Sequence, residues 1–172
     1  MKDVLIRIAC LNDAPEIANV HINSWREAYK SLLPKEFLDD RPLYFKNRLE
    51  LWKKVTQKTD HFTFVAESKE HGIIGFINGS LGRDRGLHNL CEVRCLYVLE
   101  KYHKQKIGYN LLKAFFSSYQ SKGHTKAYLW VLESNPTIKF YEATGGRFEN
   151  REKFIDLCGE KYKELMYVWD LL

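Results

Sequence analysis

The sequence predicts an α+β domain with a mixed, mostly antiparallel sheet of about seven strands flanked by about four helices. Three observations carry this. Short runs with a period of two sit among runs that repeat every three to four residues. Their order is βαα, then βββ, then αβ, then αββ, so strands often follow strands directly. Gly82, Gly86, Gly123, Gly145, Gly146 and Gly159 fall between the runs or at their ends.

Taken in order, residues 4–9 alternate and are β-branched, which reads as a first strand. Asn12 and Asp13 then offer an N-cap with Pro15 and Glu16 in the first turn. Ile17, Val20, Ile22, Trp25 and Tyr29 follow at near-helical spacing, giving a helix over about 12–30. A second helical pattern restarts at Pro34 and runs to Trp52, with Pro42 as a candidate break. From His61 the period changes to two. Residues 62–67 and 73–81 read as strands around a turn at His71 and Gly72, and 83–88 as a polar loop. Residues 90–98 form the next strand, with Cys91, Val93, Cys95 and Tyr97 alternating against Glu92, Arg94 and Leu96. Apolar positions 107, 111, 112, 115, 116 and 119 make the clearest amphipathic helix of the chain, stopped by Gly123. A strand over 127–132, a short helix over 135–144 closed by Gly145 and Gly146, and a hairpin of 148–156 with 162–171 about Cys158 and Gly159 complete the pattern.

A chain of 172 residues has room for one domain with a proper core, and 45% apolar and 28% charged residues are ordinary globular values. No repeat, low-complexity tract or linker divides it, so 1–172 reads as a single domain. The net charge of +5 has two readings, a phosphate-bearing or polyanionic partner or a solvated lysine-rich surface. No arginine-rich block occurs and the strands do not interleave aromatics with Lys and Arg on one face, so no nucleic-acid partner is expected. Cys10, Cys91, Cys95 and Cys158 are too few and scattered for a disulfide framework. Cys91 and Cys95 would share one face of a strand as small buried hydrophobes, and with no second pair no metal site is expected. There is no run of about 18 apolar residues and no signal-peptide pattern, so the expectation is a reducing cytoplasm and no membrane.

The densest chemistry lies at the junction LYVLEKYHKQKIGYNLL. A strand ending at Val98, a short loop and a helix starting near Ile107 leave first-turn amides without intrahelical partners, backed by the helix dipole. Such a nest suits a pyrophosphate, and Lys101, Lys104 and Lys106 add charge around it.

This segment resembles motif A of the GNAT superfamily of N-acetyltransferases, whose pattern is Gln/Arg-x-x-Gly-x-Gly/Ala. Aligned on Tyr102 and Leu111-Leu112, the chain reads His103, Lys104, Gln105, Lys106, Ile107, Gly108. Gly108 keeps the second glycine, His103 replaces Gln/Arg, and Lys106 replaces the first glycine. If that backbone needs positive φ, lysine is penalised there. WVLESNPTIKFYEATGG, from Trp130 to Gly146, is similar to motif B, a strand followed by an Asn-led helix carrying Phe-Tyr. VHINSWREAYKSLLPKEFLDD is similar to the helical start of polyamine acetyltransferases.

The resemblance implies a three-layer GNAT-like fold and an enzyme that uses acetyl-CoA to acetylate a small-molecule or peptide amine. It places the cofactor on the main chain of Leu96, Tyr97 and Val98, on the loop and first turn from His103, Lys104, Gln105 and Lys106 through Ile107, Gly108, Tyr109 and Asn110, and on Asn135 and Tyr141. Ser134 is an alternative to Asn135 by spacing. Tyr141 takes the place of the acid that protonates the departing thiolate; a core aromatic is the other reading of that residue. Glu92 corresponds to a general base or water holder, against a strand-end ion pair. Trp25 and Tyr29 would line the acceptor pocket, or simply pack, and His21 reads as a surface or capping residue. With no cysteine in a recognisable nucleophile setting, transfer is expected to be direct, in a ternary complex. An acyl-CoA-binding regulator with a degenerate site is the alternative, and a homodimer through the hairpin ending in MYVWDLL is a further expectation.

Overall fold

The period changes read from the sequence become a seven-stranded sheet in the order β1-β2-β3-β4-β5-β7-β6, antiparallel except where β4 meets β5. The computed structural model of the protein describes residues 4–32, 38, 41–157 and 159–171, with the backbone alone for 41–44. The strands are β1 (Val4–Ile8), β2 (Phe62–Ser68), β3 (Gly72–Leu81), β4 (Cys91–Val98), β5 (Lys126–Leu132), β6 (Arg147–Leu157) and β7 (Glu160–Asp170). The helices are α1 (Ala14–Tyr29), α2 (Arg41–Val55), α3 (Ile107–Gln120) and α4 (Ile138–Ala143). The helical restart at Pro34, the turn residue Cys158 and Leu172 lie outside the described residues.

Two of the described helices cover each face. On what we call the back face, α3 and α4 bury Leu111, Leu112, Phe115 and Tyr141 against Ala66, Ile77, Val93, Leu129 and Trp169. On the front face, α1 and α2 pack Ile17, Val20 and Trp52 against Val65, Ile73 and Phe76. Phe115 is fully buried and seats α3 beside Gly79, where a Cβ would stand 2.5 Å from its ring and 2.0 Å from the Glu92 carbonyl. Truncating Phe115 to alanine is expected to cost about 3–5 kcal/mol.

Several elements differ from the sequence reading for local reasons. The first helix begins at Ala14 after a 3-10 turn over Leu11–Asp13. The Asp13 carboxylate is diverted from capping to Arg7, at 2.7 and 2.8 Å, and to the Cys10 N–H at 2.7 Å. The described second helix begins at Arg41, so Pro42, the candidate break, sits in its first turn, where no intrahelical N–H is required. The short helix begins at Ile138 rather than Asn135, because the Asn135 Oδ1 accepts the Thr137 N–H at 2.9 Å and forms a preceding turn. His21 is neither at the surface nor a cap. It is 5% exposed, its Nδ1 accepts the Trp52 indole N–H at 3.1 Å, and its ring stacks on Tyr97 at 5.0 Å.

The strand over 90–98 departs most. Asn78 pairs with Cys95 but Gly79 pairs with Val93, so Arg94 is an extra residue, a β-bulge. Alternation therefore breaks. Cys91 and Val93 face the back, Leu96 and Val98 face it again, and Cys95 and Tyr97 face the front. The two cysteines do not share a face. Of the C-terminal hairpin, β7 is interior and β6 is the sheet edge, exposing Phe148 and Phe154.

Candidate active site

The bulge at Arg94 follows directly on the last contact between β4 and β5. These strands pair only through Cys91 with Ala127 and Glu92 with Tyr128, then separate. Beyond that point both strands turn unpaired main chain into one opening. The Leu99 N–H donates to the Ile74 carbonyl at 3.0 Å, so by strand alternation Val98 and Leu96 present their peptide groups away from β3. The main chain of Tyr97 belongs to the β3 ladder instead. The Leu171 and Glu133 N–H groups donate to Thr125 and Lys163, which by the same rule turns the main chain of Trp130 and Leu132 from β7 toward the opening. The Val98 carbonyl is capped by His103 Nε2 at 2.8 Å, and since a carbonyl only accepts, His103 carries its proton on that nitrogen.

The first turn of α3 closes one end of the opening. Lys104 and Lys106 both hold left-handed backbone, φ 61° and 60°. This costs about 1–2 kcal/mol for each non-glycine residue. The Asn110 N–H is the first in the helix to bond a carbonyl, Lys106 O at 2.9 Å, which leaves the amides of Ile107, Gly108 and Tyr109 directed out of the helix end. Lys101, Lys104 and Lys106 are exposed around them, whereas the Ile107 side chain is core. Gly108 lies against α4: a Cβ there would stand 3.2 Å from the Phe140 ring. Within the stretch from His103 to Asn110, the outward amides of Ile107, Gly108 and Tyr109 and the exposed lysines around them are thus arranged as an anion could use them, mainly through backbone.

Tyr141 reaches the opening from the back, while Tyr29 and Tyr97 approach from the front. Tyr29 lies near Tyr97 and Asn135, and its ring is 5.4 Å from that of Trp25. Burial raises the Tyr141 and Tyr97 phenols well above the usual tyrosine range, with the charges of Tyr29 and Cys95 adding to it at both. They stay protonated at any physiological pH. Cys95, in the same group, is pushed up to about 11 by burial, so it is a thiol and not a thiolate.

Glu92 sits on the front floor, 4% exposed, and both its oxygens are engaged. Arg83 donates to it twice, at 3.0 and 2.8 Å, and Arg94 once, at 3.2 Å. The Arg94 guanidinium also meets the Ser80 hydroxyl. Sequence reasoning missed Arg83 and Arg94, and with them a group further along the front face made of Asp84, Trp130, Lys153 and Glu164. No spacing ties these residues together, because they come from one loop and four strands. Among the described residues, no cluster of three or more His, Cys, Asp or Glu gathers in metal-binding range, and no helix is long and apolar enough to cross a membrane.

Comparison with known proteins agrees with this geometry. Residues 22–145 match the acetyltransferase (GNAT) family model. The chain is similar to the uncharacterised N-acetyltransferase YuaI of Bacillus subtilis, 30% identical over 166 residues that cover 96% of this chain and 92% of that one. Its fold is similar to that of PaiA N-acetyltransferase from Thermoplasma acidophilum, solved in complex with coenzyme A, with a TM-score of 0.72, 23% identity, and 94% and 97% of the two chains covered. It is likewise similar to an N-acetyltransferase from Staphylococcus aureus, with a TM-score of 0.74, 16% identity, and 99% and 100% covered. The chain belongs to the GNAT acetyltransferase family.

Proposed function

From that membership we propose that the chain passes the acetyl group of acetyl-CoA to a primary amine by direct attack in a ternary complex, donor in the β4/β5 opening and acceptor on the front face. That it is an acetyltransferase with acetyl-CoA as donor follows from the family; the acceptor class and the residue roles are the proposal. The observation that carries it is the opening itself. Unpaired amides of two strands converge on a helix N-terminus ringed by lysines, which matches a long polar chain ending in phosphates. Acetyl-CoA supplies an activated thioester when bound.

The chain's own groups do the rest. The amides from Ile107 to Tyr109 take the pyrophosphate, and Leu96, Val98 and Asn135 align the arm. The Val98 amide, pointing into the opening, polarises the acetyl carbonyl, a contribution on the order of 3 kcal/mol. Tyr141, kept protonated by burial, gives its proton to the departing sulfur. Because Cys95 stays a thiol, the amine attacks the carbonyl directly. The attacking nitrogen must first lose a proton. Glu92 accepts it once Arg83, the solvent-exposed partner with 65% of its side chain accessible, releases one carboxylate oxygen. Trp25 and Tyr29 border the acceptor's approach.

A non-catalytic acyl-CoA-binding regulator is the second reading, favoured by Lys106 standing where the family pattern has glycine. Lys106 nevertheless holds the left-handed geometry that a glycine would supply, so the cradle keeps its shape. Calorimetric titration with acetyl-CoA tests the site. Micromolar binding that Gly108→Glu abolishes supports the cradle; no binding at millimolar donor overturns it. Acetyl transfer to any amine rules out the regulator.

A further inference from the structure

On the front face, next to the opening, the fold holds an ammonium ion in a built cage, and the ammonium is its own. The Lys153 Nζ lies 4.2 Å from the Trp130 ring centroid, 3.7 Å from Asp84 Oδ2 and 3.7 Å from Glu164 Oε2. The Trp130 indole N–H donates to the same Asp84 oxygen at 2.8 Å, which fixes the ring and the carboxylate relative to each other. An aromatic face with two carboxylates is a strong arrangement for a cation that has been partly desolvated. Strand register puts these groups on one surface: Trp130 opposes Met166, Glu164 opposes Leu132, and Lys153 opposes Glu164. Glu164 has 17% of its side chain accessible; burial and the charges of Asp84 and Glu92 disfavour its ionised form, and the Lys153 ammonium counters them, so a cation at this point relieves the patch.

The cage is also placed where an acceptor would pass. Glu164 stands opposite the last residue of β5, at the rim of the opening, and acts electrostatically on Tyr29. Lys153 reaches the cage by a flexible four-carbon stem from the edge strand β6, just past the irregularity between Phe148 and Glu152. Its side chain is 36% accessible, so it can swing into solvent without breaking a strand pair. With Lys153 withdrawn, two carboxylates and an indole face an empty position whose only chemical requirement is a positive charge.

Resting on the acetyl-transfer reading above, we propose that Trp130, Asp84 and Glu164 form a subsite for a second ammonium group of the acceptor, and that Lys153 occupies it until such an acceptor displaces it. The substrate class is then a linear amine with two cationic nitrogens, one held in the cage while the other reaches the thioester. The lysine is a built-in competitor that sets the affinity threshold.

The test uses the full chain and does not depend on turnover. The Trp130 indole N–H signal, assigned with Trp130→Phe, is followed by NMR during titration with linear diamines of about three to six carbons and with the matching uncharged diols. Diamines are expected to shift it and diols to leave it in place. Lys153→Met should tighten diamine binding about tenfold, and Glu164→Gln should weaken it about tenfold, each worth roughly one hydrogen-bonded or cation–π contact. A signal that no diamine moves, or diamine affinities equal in wild type, Lys153→Met and Glu164→Gln, would overturn the subsite. Diamine binding with these changes but without acetylation of any diamine would uphold the cage and count against the acetyl-transfer reading instead.

Discussion

In the function proposed above, the back and the front of this sheet hold one substrate each, and they are built in opposite ways. At the back, the proposed donor cradle lies within the stretch from Val98 to Asn110, and its working groups are peptide N–H groups. At the front, the acceptor floor gathers side chains of Tyr29, Arg83, Glu92, Arg94, Trp130, Lys153 and Glu164 from one helix, one loop and four strands. A site made of backbone tolerates changes of residue so long as φ and ψ are kept. His103 and Lys106 depart from the family's usual residues there, yet Lys106 holds the left-handed backbone that a glycine would, and His103 bonds the Val98 carbonyl. A site made of side chains has no such latitude, since each charge is balanced by a specific neighbour.

Substitutions can break or sharpen that contrast. The largest effect at the back should come from Gly108→Glu, which adds bulk against Phe140 and a negative charge beside the pyrophosphate position. Acetyl-CoA affinity by calorimetry is expected to fall about a hundredfold or more. Gln105→Ala, a side-chain change in the same turn, should leave it within about twofold; a loss as large as that of Gly108→Glu would end the claim that backbone does the binding. Tyr141→Phe should lower kcat about a hundredfold with donor affinity unchanged, as measured by steady-state kinetics alongside calorimetry. At the front, Glu92→Gln should lower kcat/KM about tenfold to a hundredfold with acetyl-CoA affinity unchanged, as read by kinetics beside calorimetry. An unchanged kcat/KM would reduce Glu92 to an ion-pair anchor for Arg83 and Arg94.

A smaller front-face effect concerns stability. Burial, with Arg48 adding to it, lowers His21 to about 3 from an ordinary 6.5. The unfolded chain thus binds a proton between those values that the folded chain refuses. Stability conferred by neutral His21 is therefore present above about pH 6.5 and lost as pH falls toward 3, at up to about 1.4 kcal/mol per unit. Denaturant melts of wild type and His21→Leu across this window should converge on acidification, and parallel curves would contradict the assignment. Smallest of all, Lys106→Gly should relieve left-handed strain, raising stability by about 1 kcal/mol and leaving the cradle's path as it is.

The same contrast explains what was legible in the sequence. All seven strands and the stretch from His103 to Asn110 could be read, because period, caps and a strand-loop-helix junction are local properties. The bulge at Arg94 could not, since one extra residue in an alternating run leaves the pattern looking regular while reversing Cys95 and Tyr97 to the other face. The buried place of His21 depends on Trp52, 31 residues away, and on Tyr97, neither of which marks it locally. Glu92 was identified but its two arginines were not. Arg83 arrives from a loop, and Arg94 lies two residues along the same strand, where regular alternation would already put it on Glu92's face. The cage around Lys153 depends on register across β5, β7 and β6. Ion pairs between strands distant in sequence carry no periodic signal.

The most direct test of the central claim, that the donor lies in the β4/β5 opening on backbone amides, is backbone amide NMR of the protein during titration with acetyl-CoA. The account expects the largest shifts at Leu96, Val98, Ile107, Gly108 and Tyr109, with the amides of Cys95 and Tyr97 held in the β3 ladder and moving little. Shifts confined to the front face, or spread over β1 and β2 with the first turn of α3 unmoved, would contradict it.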